Sequence, residues 1–303
     1  MTYDIIIIGG GPAGLTAAVY GRRANKSVLV IEKGTFGGQI TFSPKVENIP
    51  GFTALSGNEF AEKLIDQVIS QGADFENTTV TGITDGKIKT VICEDGSFDC
   101  KAVIIATGAK HRMLGVPNEE KFVGDGISFC AVCDGAFFKN QKVGVVGGGN
   151  SALQEALLLS ELASEVTVIQ NLDFLTGEKK LCDQLAEKTN VRVITGAVVD
   201  SVLGEDTFSG VKIRKTADDS TEELALDGLF VAIGLIPQNE PFKDQITLDK
   251  FGYAEAGESC LTKASGIFVA GDCRTKKIRQ VATAASDGAI AALAACDYID
   301  SNS

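Results

Sequence analysis

The sequence predicts an α/β protein made of two Rossmann-like, three-layer ββα domains, the second inserted in the first. Three observations carry this. A β-branched run, Tyr3 to Ile8, leads into a glycine turn and a helical stretch, and the same order returns from Lys142 onward. Each of these units is followed by an alternating stretch with turn signals, Val80 to Ile105 and Val198 to Ile233. The last strand and helix, Ile267 to Ala295, have no βαβ partner nearby and are read as completing the first domain. The expected domains are residues 1–113 with 240–303, and residues 116–237.

Each element has its reason. Tyr3 to Ile8 is continuously apolar after its start, as a parallel strand covered on both faces must be. Gly9 to Gly14 is the turn, Leu15 to Ala24 the helix, and Ser27 to Ile31 the next buried strand. In the second unit Lys142 to Val146 is the strand, Gly147 to Gly149 the turn, Ser151 to Leu162 the helix and Glu165 to Ile169 the following strand. Asp85-Gly86 and Asp95-Gly96 are hairpin signals in the first meander.

Composition narrows the function. The chain has 303 residues, 44% apolar and 22% charged, with a net charge of -12. That charge excludes a general affinity for nucleic acid or an anionic membrane surface. No apolar run approaches the roughly 20 residues that span a bilayer, and no signal-peptide pattern precedes the first strand, so a cytoplasmic protein is expected. His111 is the only histidine, which leaves no His-rich metal site. Lys276, Lys277 and Arg279 form a small basic cluster, read as a solvated loop. Of eight cysteines only Cys130 and Cys133 stand as C-x-x-C; Cys93, Cys100, Cys182, Cys260, Cys273 and Cys296 are scattered and read as small core residues.

Gly9, Gly11 and Gly14 form G-x-G-x-x-G between a strand and a helix, with Pro12 and Ala13 inside the motif and Glu32 ending the next strand. The first glycine permits the turn, the second lets backbone approach a pyrophosphate, and the third lets helix and strand pack; the helix N-terminus then faces the phosphates and Glu32 accepts from a ribose hydroxyl. Gly271-Asp272 follows an apolar strand and precedes a helix, a placement suited to a ribityl chain. Ala106-Thr107-Gly108 ends the first meander in the same way. With the fingerprint, these turns point to FAD.

The segment Ser128 to Gly135 holds the pair Cys130 and Cys133, followed by Asp134. Two cysteines at this spacing close a readily reduced disulfide, and an adjacent carboxyl can give a proton to the departing thiolate. A zinc site would need ligands the chain lacks, and a structural disulfide does not suit a reducing compartment. Redox chemistry is the reading taken. A redox-sensing binding module is the alternative of another class; catalytic turnover of a disulfide substrate separates the two.

The motifs Gly9 to Gly14, Gly37-Gly38-Gln39, Val46 to Gly51, Cys130 to Gly135, Gly271-Asp272 and Arg279-Gln280-Val281 resemble, in order and over essentially the whole chain, those of the low-molecular-weight thioredoxin reductases. The resemblance implies that Cys133 lies against the flavin, Cys130 attacks the disulfide of thioredoxin and Asp134 acts as acid and base. It also implies that Gln39, Asn48, Asp272 and Gln280 contact FAD. By the same resemblance the protein is a homodimer whose second domain rotates to expose the cysteines.

One segment departs from that pattern. The second fingerprint, Gly147-Gly148-Gly149-Asn150-Ser151-Ala152, keeps G-x-G-x-x-A, but the strand after it ends in Gln170-Asn171-Leu172, where the family carries His-Arg-Arg. An NADPH site places arginines there for the 2′-phosphate, and an NADH site an acid for the ribose. Three readings follow: electrons arrive from reduced ferredoxin; NADH binds weakly through Gln170; or NADPH binds through basic residues elsewhere. The first is the expectation, and with it a resemblance to the ferredoxin-linked flavin thioredoxin reductases.

Overall fold

The computed structural model describes residues 2–43 and 45–302. The chain forms two compact units, Met1–Lys110 with Ile236–Ser303, and His111–Leu235. The first opens with strand β1 (Thr2–Ile8), helix α1 (Pro12–Arg23) and strand β2 (Val28–Glu32), then helix α2 (Gly57–Ser70) and strand β3 (Asp74–Asn77). A meander follows, β4 (Val80–Thr84), β5 (Lys89–Cys93) and β6 (Gly96–Ile105), and then β7 (Ala109–His111). The second unit runs through β8 (Ile127–Ser128), the one-turn helix α3 (Ala131–Asp134), β9 (Lys142–Val146), α4 (Asn150–Ser160), β10 (Glu165–Ile169), α5 (Lys179–Ala186) and β11 (Val191–Ile194). It closes with β12 (Ala197–Leu203), β13 (Gly210–Lys215), β14 (Thr221–Ala225) and β15 (Gly228–Val231). The chain returns along β16 (Leu235–Pro237), which pairs with β7, and ends in β17 (Ile267–Val269) and α6 (Val281–Ser301).

In the first unit the sheet order is β3-β2-β1-β6-β5-β4, with β17 also paired to β6. Strands β3, β2, β1, β6 and β17 are mutually parallel, and β4-β5-β6 is the antiparallel meander. The period of two along β1 explains the layers. Ile5 and Ile7 pack with Leu15, Ala17 and Ala18 of α1 and with Ala291, Ala292 and Ala295 of α6. Ile6 and Ile8 turn the other way, onto Ile83 and Val91 of the meander and onto Phe242. A strand buried on both faces reads as an unbroken apolar run. Small residues let α1 and α6 approach closely: a Cβ added at Gly288 would fall on the Ala13 carbonyl oxygen.

The second unit repeats this plan. Its parallel sheet has the order β11-β10-β9-β15-β8. Val143, Val145, Val166 and Val168 face α4 through Ala152, Leu153, Ala156 and Leu159. Val146, Ile169 and Ile194 pack against Val199, Val202, Val211 and Ile213 of the three-stranded sheet β12-β13-β14. Among the described residues no helix is long and apolar enough to cross a membrane.

The sequence places a helix directly after Gly271-Asp272. The structure corrects this: Gly271–Cys273 is a 3₁₀ turn and α6 begins only at Val281. The cause is Arg274, which turns inward to the buried Asp287 of α6, so the chain runs extended before the helix can start.

Candidate functional site

In the first unit the turn from Gly9 to Gly14 is shaped by contacts within the protein at two positions and left open at a third. Gly9 has φ +114, and a Cβ there would fall on the Ala106 carbonyl oxygen; a Cβ on Gly14 would fall on the Gly9 carbonyl oxygen. Only glycine fits either place. Gly11 differs: its added Cβ would make ordinary contacts, 3.8 Å from Gly38 Cα and 3.9 Å from the Gly37 oxygen. Pro12 is the first residue of α1, and no side chain caps the helix, so the amides of Ala13 and Gly14 have no side-chain acceptor from the cap.

Glu32, Gly37-Gly38, Ala106 and Gly271 approach this turn. Gly37 N–H donates to the Gly10 oxygen at 2.7 Å and so sets Gly38 beside Gly11; Gln39 follows, exposed, on the 3₁₀ turn Gly38–Phe42. One carboxylate oxygen of Glu32 accepts from Gly10 N–H and the other from Gly34 N–H, both at 2.8 Å. Gly271, at φ +80, lies against α1, where its Cβ would meet Ala13 Cβ at 2.8 Å. Ala106 N–H donates to the Ile8 oxygen, which seats Ala106-Thr107-Gly108 at the carboxyl end of the parallel strands. Asn48 donates to Gln280 Oε1 at 3.1 Å, and Val281 packs on Val46, Ile49 and Leu55.

Asp272 stands out electrostatically. Its Oδ1 is buried with no hydrogen-bond partner among the described residues. Burial raises its pKa, against the lowering influence of Lys276 and Arg279. Arg279 lies over the Tyr253 ring, 4.3 Å from its centroid, and donates to the Asp272 carbonyl oxygen. A buried carboxyl oxygen without a protein partner, beside a glycine turn that leaves room for close approach at Gly11, fits a large polyhydroxyl, phosphate-bearing ligand such as FAD.

In the second unit the turn that carries the cysteine pair is compact. Cys130 and Cys133 form a disulfide with Cα atoms 5.3 Å apart. Cys130 caps α3, its sulfur accepting Cys133 N–H at 3.2 Å. Ser128 Oγ donates to Asp134 Oδ2 at 2.6 Å and accepts Cys130 N–H at 3.1 Å. Burial raises the pKa of Asp134, opposed by the Ser128 hydrogen bond, and Asp134 Oδ1 has no partner among the described residues. Val132, between the cysteines, is 64% exposed. His111 stacks on Phe129 at 4.6 Å, and burial lowers its pKa to about 4. Glu155 of α4 is raised to about 7 by burial, opposed by a hydrogen bond from Ala131 N–H.

The second glycine turn keeps the same shape. Gly147 has φ +130, its Cβ barred by the Ala232 oxygen at 2.6 Å, whereas a Cβ on Gly149 would meet nothing closer than Thr176 Oγ1 at 3.8 Å. At the strand end, however, Gln170 is 4% exposed, its amide lies against Gly148, and its Nε2 donates to the Phe174 oxygen at 3.2 Å. Gln170 is therefore turned inward, against the glycine turn. Asn171, Leu172, Asp173 and Phe174 are exposed, and no lysine or arginine occurs from Gln170 to Glu178.

Sequence reasoning found both turns and the cysteine pair but missed four groups. Ser128 carried no signal beyond its nearness to the pair. Glu155 did: it shares the helix face of Ala152 and Leu159, where a carboxyl is out of place. Asp287 likewise interrupts the buried face of α6. Asn239, fully buried and donating to the oxygens of Gly252 and Cys273, had none.

Comparison with known proteins agrees with this geometry. Residues 3–288 match the family described as Pyridine nucleotide-disulphide oxidoreductase. A 34.2 kDa protein in the rubredoxin operon of Clostridium pasteurianum is 42% identical over 98% of this chain and 97% of its own. Thioredoxin reductase of Listeria monocytogenes is 40% identical over 98% of this chain and 94% of its own. The crystal structure of thioredoxin reductase from Streptococcus pyogenes superposes with a TM-score of 0.94 at 41% identity, covering 99% of both chains. The likeness runs along the full length of these relatives, and the chain belongs to the low-molecular-weight thioredoxin reductases, flavoenzymes of the pyridine nucleotide-disulphide oxidoreductase family.

Proposed function

We propose that this chain reduces the disulfide of thioredoxin through Cys130 and Cys133, with FAD held in the first unit and reduced ferredoxin as electron donor. When bound, FAD takes up single electrons and gives them up in pairs. Its pyrophosphate would lie on Gly9, Gly11, Pro12, Ala13, Gly14 and Gly38, with Glu32 at the ribose. Gln39, Asn48, Gln280, Val281 and Arg279 would hold the flavin end together with Ala106, Thr107, Gly108, Gly271 and Asp272. Taking up two electrons and two protons opens the Cys130–Cys133 disulfide to two thiols. The Cys130 thiolate then attacks the thioredoxin disulfide and forms a mixed disulfide. Cys133 displaces the second thioredoxin thiolate, which restores the Cys130–Cys133 bond and leaves thioredoxin reduced. Asp134 exchanges the proton with the departing thiolates. Assembly as a homodimer belongs to the same proposal.

The observation that carries the choice of donor is the strand end at Gln170. The amide there is internal and the segment from it to Glu178 has no lysine or arginine. Each missing charge-assisted bond to a 2′-phosphate is worth about 1.5–3 kcal/mol, so two of them weaken NADPH by about 10²–10⁴-fold. The description of the clostridial relative, which places it in a rubredoxin operon, is in keeping with a one-electron donor. A second reading, an NADPH- or NADH-dependent thioredoxin reductase, is favoured by Gly149, which stays as open as Gly11.

Anaerobic bleaching of the flavin decides. Reduced ferredoxin is expected to bleach it rapidly, while NADPH and NADH at millimolar concentration do not. Rapid bleaching by either nucleotide would overturn the choice of donor. Failure of the ferredoxin-reduced protein to turn over oxidised thioredoxin more than once per flavin would overturn the enzyme.

A further inference from the structure

Ser128 is the last residue of β8, and its hydroxyl joins the two ends of the redox turn. It donates to Asp134 Oδ2 at 2.6 Å and accepts the Cys130 amide at 3.1 Å. The residue is 7% exposed, and across the sheet its partner is the uncharged Phe230 of β15. The other oxygen of Asp134, Oδ1, is buried and has no partner among the described residues. Asp134 is thus anchored at one oxygen and free at the other. A lone buried carboxyl can rotate about its terminal bond, whereas one pinned at Oδ2 presents Oδ1 in a single direction.

We propose that Ser128 is a positioning residue for Asp134: it pins Oδ2 and keeps Oδ1 free to exchange a proton with the thiolates of the Cys130–Cys133 pair. The inference rests on the reading of Asp134 as acid and base of that pair. The step balances. A proton on Oδ1 passes to the sulfur of a departing thiolate, giving a thiol and leaving Asp134 as carboxylate; the reverse transfer restores the acid. The hydroxyl also has an electrostatic consequence. Donation to a carboxylate stabilises its charged form, so Ser128 offsets the burial that drives Asp134 upward. Removing the hydroxyl leaves burial unopposed, and the pH at which Asp134 releases its proton rises.

The titratable groups around Asp134 are Cys130 and Cys133 on its own turn and Glu155 of α4, which faces the same turn through Ala131 N–H. The test must therefore separate Glu155 from Asp134. Holoenzyme reduced with dithionite is mixed with oxidised thioredoxin in a stopped-flow cell, and the single-turnover rate is followed from acid to alkaline pH. Ser128→Ala is expected to move the Asp134 limb of the profile up by about one pH unit. Ser128→Thr keeps the hydroxyl and returns the limb to its wild-type position, while Ser128→Val, matched to Thr in shape, behaves as Ala. This pair keeps the test decisive if the Ala variant folds poorly. Glu155→Gln leaves the limb where it is, and Asp134→Asn abolishes it.

An unmoved limb in both Ser128→Ala and Ser128→Val, with the limb lost in Asp134→Asn, overturns the role of Ser128 and leaves that of Asp134 standing. A limb that survives in Asp134→Asn, or one that disappears in Glu155→Gln, overturns the reading of Asp134 and the inference with it.

Discussion

Replacing Arg274 by methionine tests the electrostatic core under the Gly271-Asp272 turn. Arg274 and Asp287 are each 3% exposed and meet through two bonds, Nε to Oδ2 at 2.8 Å and Nη2 to Oδ1 at 2.7 Å. The same carboxylate accepts Gly271 N–H and Lys276 Nζ, both at 2.9 Å. Methionine fills much of the arginine stem but strands a buried carboxylate. Breaking a buried pair by removing one partner costs about 3–5 kcal/mol. Lys276 and the Gly271 amide remain, which puts the expected loss near the lower end, about 3 kcal/mol. For a unit of roughly 180 residues each kcal/mol moves Tm by about 2–4 °C, so a fall of about 6–12 °C is expected by calorimetry at neutral pH, with flavin content matched.

The pH dependence has a defined sign. Burial pushes the Asp287 carboxyl up, but the bonds from Arg274 and Lys276 prevail and its pKa is lowered in the folded protein. A carboxyl depressed on folding contributes stability above its unfolded pKa, about 3.9, and loses it as pH falls through the folded value. The variant holds less of this contribution, so its deficit is largest at pH 6 and above and narrows in acid. A Tm within about 2 °C of wild type at pH 7 would refute the reasoning, as would a deficit that widens on acidification.

Further outcomes follow from the same geometry. Gly14→Ala drives a Cβ onto the Gly9 oxygen, forcing α1 off β1; a loss of about 1–3 kcal/mol and flavin-free protein are expected, read from the melting curve and the flavin absorbance. Gly11→Ala meets only ordinary contacts in the protein, so it should melt as the apoprotein does and still lose flavin; full flavin content would show that no ligand uses that space. Glu155, raised to about 7 by burial, binds its proton more tightly folded than unfolded, so between about pH 4.5 and 7 stability falls as pH rises. Glu155→Gln removes that loss: its urea midpoint should exceed wild type at pH 8 and match it near pH 4.5, and an equal offset at both would count against a buried, protonated Glu155.

Much of the fold was legible because its signals are local. Ile5 to Ile8 alternate between two buried faces, which leaves a continuous apolar run in the sequence whatever packs on either side. Gly9 and Gly147 occupy positive φ, where other side chains are strained, so their identity records the backbone. Helix starts were less legible. Nothing between Cys273 and Gln280 announces that Arg274 will turn inward, because its partner Asp287 arrives from the middle of a helix in another stretch of chain.

The sequence by itself determined two glycine turns at the ends of parallel strands, an insertion of one unit in the other, a C-x-x-C pair with an adjacent acid, and the absence of lysine and arginine from Gln170 to Glu178. Each is a matter of residue type and spacing, set by backbone conformation or charge that short-range rules can read. Only the tertiary structure decided that Gln170 points inward, that Asp272 and Asp134 each keep one oxygen without a hydrogen-bond partner among the described residues, that Glu155 Oε2 and the Asp287 side chain are enclosed, and that Ser128 ties Cys130 to Asp134. These depend on which atoms from distant segments displace water from a polar group. Desolvation and the partner that offsets it are properties of the packed chain, and no local pattern contains them.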